Sequence, residues 1–189
     1  YYPGISSADG TNSYQQFQSH LYSDWQPPIF TIWWNIFHIE GATFLMNVLS
    51  YYLGLIAISI FLYKKDKNWQ NDLLVLFSLN PLLFTQLAII WKDIGYTALL
   101  VDCIAIYLYL PLVKNGKTRV ILWSIYFICL FLATGFRING VLAALPLVYA
   151  AVNQTRLLAR FSQKRQSILA VKLATGLISL AIIAVFIIL

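Results

Sequence analysis

The residues with chemistry to offer are Asp9, His20, Asp24, Glu40, Lys92, Asp93 and Arg137, each set at the edge of an apolar run. Carboxylates can take a proton from a hydroxyl. Cations can hold a phosphate, and arginine can do so with two parallel hydrogen bonds. Carboxylates on one loop beside a lysine and an arginine therefore suit transfer of a group from a phosphate-linked lipid to an acceptor hydroxyl. Each residue also has a plainer role. Asp9 and Asp93 can begin helices by accepting from free N–H groups. Lys92 and Arg137 can reach towards lipid headgroups, and His20 can be a surface imidazole. Whether the residues act together depends on the elements that position them.

Those elements are membrane helices. Of the 189 residues, 60% are hydrophobic and 11% charged, against roughly a quarter charged in a soluble domain. The apolar residues come in long runs near the ~20 residues that a ~30 Å hydrocarbon layer requires of a helix. The net charge of +6 does not imply a nucleic-acid partner, because the basic residues sit in short loops between apolar runs. Cys103 and Cys129 lie inside apolar runs without a second pair to make a zinc site, and read as small buried residues. The chain begins at Tyr1 without a signal-peptide pattern and stops at Leu189 inside an apolar run. Both ends read as cuts, with at least one helix expected upstream.

The fold class expected is all-α, a polytopic transmembrane bundle with juxtamembrane helices in an external loop, 1–42. Within that loop Tyr14, Phe17 and Leu21 share a helical stripe, with Gln15, Gln16 and Ser19 off it, as in a short interfacial helix. Pro27 and Pro28 open a second, Trp-rich segment over 29–38. It reads as juxtamembrane, although a re-entrant hairpin also fits. About six membrane helices follow, at 43–63, 73–91, 94–113, 120–136, 138–153 and 168–189. A single helix over 73–113 is roughly 60 Å long, so it must fold back at Lys92-Asp93. The run 120–153 likewise breaks at Arg137-Ile138-Asn139-Gly140. The loops 64–72, 114–119 and 154–167 hold most of the Lys and Arg. The positive-inside rule places them in the cytoplasm, and parity places 1–42, 92–93 and 137–140 outside. Irregular backbone at membrane depth is tolerated where it lines a cavity, and an ionisable residue there suggests function. Asp102 falls inside the next helix and could face the same cavity, but no role is assigned to it. Asn153-Gln154-Thr155 has the pattern of a glycosylation acceptor, but lies on the cytoplasmic side of this topology.

The run Tyr2-Pro3-Gly4-Ile5-Ser6-Ser7-Ala8-Asp9-Gly10, followed by Asp24-Trp25-Gln26-Pro27-Pro28, resembles the first external loop of bacterial GT-C glycosyltransferases. The relevant branch is the protein O-mannosyltransferase and aminoarabinose transferase group with its uncharacterised bacterial relatives. Trp91-Lys92-Asp93 and Arg137-Ile138-Asn139-Gly140 resemble later motifs of those relatives. The resemblance implies an enzyme of the bacterial plasma membrane that uses a polyprenyl-phosphate-linked sugar. It implies a catalytic role for Asp9, with Asp24 beside it. It also implies a substrate-binding set of Gln26, Lys92, Asp93, Arg137 and Asn139, with the cations on the lipid phosphate. Relatives commonly carry His or Lys directly before the Pro-Pro pair, where this chain has Gln26, and Asp9 is followed by Gly10 and not a second acid. No divalent-cation site is evident from this pattern. The alternative function is a transporter or flippase for an anionic lipid or solute, which would use the same cations and broken helices.

Overall fold

The computed structural model describes residues 5–6, 8–21, 28–35, 41–67, 69, 73–87, 89–90, 92–137 and 140–161. The chain is all-α apart from one two-residue strand pairing. Its elements are β1 (Ile5–Ser6), α1 (Ala8–Ser19), α2 (Pro28–Asn35), α3 (Ala42–Asp66), α4 (Leu73–Ser78), α5 (Pro81–Leu87), β2 (Ile89–Ile90), α6 (Lys92–Tyr109), α7 (Gly116–Phe136) and α8 (Gly140–Phe161). Three helical stretches among the described residues are long and apolar enough to cross a membrane: Ala42–Asp66, Lys92–Leu112 and Gly116–Phe136. The segment expected at 168–189 lies outside the described residues.

Helix α3 shows why the bundle belongs in lipid. Its buried residues are Thr43, Asn47, Gly54, Leu55 and Ser59, small or polar but for one leucine, whereas Leu49 and Leu53 are 58% and 64% exposed. A soluble protein does the opposite. In a bilayer, lipid covers the leucines, and small or polar residues let helices approach closely. Gly41, with φ of 79°, starts α3 in the left-handed region that glycine enters without steric cost.

Side-chain contacts set the helix directions. Asn47 lies against Gly95 and Gly54 against Asp102, and Tyr109 donates its hydroxyl to the Ala57 carbonyl at 3.1 Å. Numbers rise together, so α3 and α6 are parallel. A Cβ on Gly54 would come within 2.7 Å of Asp102 Oδ1 and 2.8 Å of Val101 Cγ1, which makes glycine the condition for this approach. Ser50 donates to Asp102 Oδ2 across the same interface. Between α6 and α7 the pairs are Gly95 with Phe136 and Cys103 with the Tyr126 carbonyl, an antiparallel pairing. Tyr126 in turn donates to the Leu147 carbonyl of α8 at 2.8 Å.

Parallel α3 and α6 need a return between them, and here the structure corrects the sequence expectation. The helix expected over 73–91 is two short helices followed by an extended segment at Ile89–Ile90. Asn80-Pro81 is the cause. Proline lacks the N–H that the helix needs and clashes with the preceding turn. Asn80 instead caps α5, its Oδ1 accepting from the Leu82 N–H at 2.9 Å. The Tyr52 hydroxyl on α3 donates to the Ser78 carbonyl at 3.1 Å, satisfying an acceptor at the end of α4.

Other boundaries also move. Helix α7 begins at Gly116 and not at 120, because Asn115 caps it by accepting from the Lys117 N–H at 2.9 Å. Most of the expected loop 114–119 is thus its first turn. Helix α8 runs through 153 to Phe161, taking in half of the expected loop 154–167. Helix α1 spans 8–19, and its buried positions are Gly10, Ser13 and Gln16. Its polar side packs inward, while Tyr14 and Leu21 stay exposed.

Candidate functional site at the Arg137 end of the bundle

The ends of α3, α6, α7 and α8 that carry Ala42, Lys92, Phe136 and Gly140 lie together, a consequence of the directions given above. Arg137 follows α7 with an extended backbone (φ −147°, ψ 122°). The Gly140 N–H donates back to the Arg137 carbonyl at 2.8 Å. Tyr96 of α6 donates to the Gly140 carbonyl at 3.4 Å, and a Cβ on Gly140 would meet Tyr96 Cε2 at 2.9 Å. The turn bearing Arg137 is therefore held against the first turns of α6.

Asp93 stands in the first turn of α6, where the helix dipole favours a negative charge. Its Oδ1 lies 3.2 Å from Arg137 Nε, with the side chains 25% and 48% exposed. The approach is an ion pair that is not aligned as a hydrogen bond, since Oδ1 has no hydrogen-bond partner among the described residues. An exposed pair of this kind is worth about 0–1 kcal/mol, whereas a hydrogen bond to a charged group reaches about 1.5–3 kcal/mol. Lys92, the first residue of α6, adds a second cation next to Asp93 in the chain.

The N-terminal segment is tied to the same place. Ile5 pairs with Ile89 and Ser6 with Ile90 in parallel. Parallel strands leave their pairing in the same direction, so α1 at Ala8 and α6 at Lys92 both start two residues beyond it. Asp9 falls in the first turn of α1. The side chain of Asp9 lies outside the described residues, as do Asp24, Gln26 and Asn139 altogether. His20 ends α1 in the left-handed region, with φ of 56°, and its ring lies 6.3 Å from that of Phe17.

Helix α2 closes the layer beneath Arg137. Phe30 and Trp33 pack edge-on against Phe136 with ring centroids 5.5 and 5.7 Å away, and Ile29 fills the space over Gly135. Two polar groups here were missed at the level of sequence. Asn47 is 3% exposed, and among the described residues neither its Nδ2 nor the Trp33 Nε1 has a hydrogen-bond partner. An asparagine inside the apolar run 43–63, on one face with Thr43, Ser50 and Gly54, was the available signal. Among the described residues, no three His, Cys, Asp or Glu side chains converge as a metal site would need. Comparison with protein-family models, with curated proteins and with solved structures gives no match to this chain.

Proposed function

We propose that this chain is the catalytic part of a membrane glycosyltransferase that takes a sugar from a polyprenyl phosphate and gives it to an acceptor hydroxyl at the outer membrane face. The observation that carries the reading is the Asp93–Arg137 pair beside Lys92, at the helix start to which the Asp9 segment is tied by the Ile5–Ile89 pairing. Lys92 and Arg137 hold the lipid phosphate. Asp9 accepts the proton of the acceptor hydroxyl as its oxygen bonds to the anomeric carbon. The bond from that carbon to the phosphate oxygen breaks, and the polyprenyl phosphate leaves with the electron pair. Asp24 and Gln26 complete the acceptor side, and Asn139 the donor side. In this reading the Arg137 end faces the exterior of a bacterial plasma membrane, and the lysine-rich end faces the cytoplasm.

Replacing Asp9 by Asn keeps its size and removes its basicity. Asp9→Asn in the whole protein is expected to abolish glycosyl transfer at normal expression; retained transfer would refute the role of Asp9. A second reading, a transporter or flippase for an anionic lipid, is favoured by the return segment broken at Asn80-Pro81. Time-resolved uptake into vesicles without a covalent product would select it.

A further inference from the structure

Asp102 stands at the middle of a helical stretch long enough to cross a membrane. It lies midway along Lys92–Leu112, about 15 Å from either end at 1.5 Å per residue. A hydrocarbon layer of ~30 Å then has Asp102 near its midplane. Gly54 stands at the midpoint of Ala42–Asp66, and the two midpoints meet, since a Cβ on Gly54 would come within 2.7 Å of Asp102 Oδ1. One turn earlier on the same face of α3, Ser50 donates its hydroxyl to Asp102 Oδ2. The described residues cover Asp102 only in part, and what lies outside the bundle at that depth is lipid. Ionisable residues there are costly and mark functional sites by default.

What the carboxyl holds follows from its surroundings. Among the described residues no lysine or arginine pairs with Asp102. From α3 it meets the Ser50 hydroxyl and the bare backbone of Gly54. The titratable groups that interact with it are two thiols, Cys103 beside it on α6 and Cys129 on α7. An ionised carboxylate without a cation is expensive in hydrocarbon, and such a group takes up a proton instead. Hard metal ions take about six or more oxygen ligands, and one carboxyl with one hydroxyl falls short of that. We infer that Asp102, held by Ser50, is a proton-binding site at the middle of the membrane. The bound proton makes the acid a donor as well as an acceptor, and lets α3 and α6 pack through Gly54 without a buried charge. This site stands apart from the Arg137 end and from either function proposed for it.

Dicyclohexylcarbodiimide, which dissolves in lipid and reacts with the protonated acid, reads the site directly. The carboxyl oxygen bonds to the central carbon of the reagent, the acid proton passes to nitrogen, and the adduct rearranges to a stable acylurea with no leaving group. The experiment uses the whole protein in lipid nanodiscs, with labelled peptides followed by mass spectrometry. At neutral pH, Asp102 should react at least about tenfold faster than Asp66, an exposed acid at the lysine-rich end, the effect of one unit of difference in proton affinity. The rate should fall as pH is raised. Ser50→Ala removes the hydroxyl that donates to the carboxylate, and should move that fall to higher pH. Equal labelling of Asp102 and Asp66 would overturn the site. So would no labelling of Asp102, the result expected of a carboxylate paired with a cation. Protection by sodium ions at constant pH would make the occupant a metal ion, and would overturn the proton. An unmoved pH profile in Ser50→Ala would overturn the part given to Ser50.

Discussion

At the end of the bundle where α3 and α6 finish, Lys64, Lys65, Lys67, Lys114 and Lys117 stand exposed, with Asp66 among them. At the end where those helices begin, Arg137 lies 3.2 Å from Asp93, with Lys92 next to it in the chain. The first group is scattered over loops and helix ends, as cations are when they only need water and headgroups. The second group is gathered by three devices: the Gly140–Arg137 turn, the Tyr96 hydrogen bond and the Ile5–Ile89 pairing. Near it the Asn47 amide and Trp33 indole nitrogens have no hydrogen-bond partner among the described residues. Counting basic residues would rank the lysine-rich end first. What distinguishes a site is the structure spent on holding a few charges in place.

That contrast can be broken most directly by exchanging charges at each end. Arg137→Gln is expected to weaken binding of a polyprenyl monophosphate by roughly 10- to 100-fold, the worth of a charge-assisted hydrogen bond. Changing Lys64, Lys65 and Lys67 together to Gln should leave that binding within about twofold. Equal losses from the two variants, measured in the same nanodiscs, would erase the distinction between the ends.

A second test asks what the middle of the bundle contributes to both. Gly54→Leu forces a side chain into Asp102 and Val101, and overpacking of this kind costs about 1–3 kcal/mol. Thermal unfolding in detergent should report that loss, and an unchanged midpoint would mean that α3 and α6 do not meet at Gly54. A smaller effect belongs to the return segment. Asn80→Ala removes the cap on α5 and should cost about 1 kcal/mol. Because α5 leads into β2, it should also loosen amide protection at Ile89 and Ile90. Protection unchanged there would show that the pairing does not depend on the helix before it.

The sequence predicted an all-α membrane bundle because a bilayer leaves little choice: long apolar runs must be helices whose backbone groups are paired internally. It also predicted the break beside Arg137, where Asn139-Gly140 interrupts the run. The break in 73–91 was legible too, since Asn80-Pro81 is a strong stop signal inside an apolar run. The stripe of α1 was legible as a short helix, but not which of its faces the protein would cover. Tyr14 and Leu21 do share a face, but that face stays exposed while Ser13 and Gln16 pack inward. In a membrane protein the apolar face need not be the one turned to the protein. Asn47 and the Asp93–Arg137 pair depend on which helices meet and at what level. Local periodicity carries no information about that.

The parallel pairing of Ile5 with Ile89 joins residues 84 positions apart. During synthesis at about 5–20 residues per second, β1 therefore waits about 4 to 17 s for its partner to be made. Meanwhile α3 inserts and the return segment follows it. The segment bearing Asp9 cannot be anchored until that return is made, and Arg137 comes later still. The candidate site is in this sense a checkpoint on assembly: it comes into being only in a chain whose first helices have already taken their places.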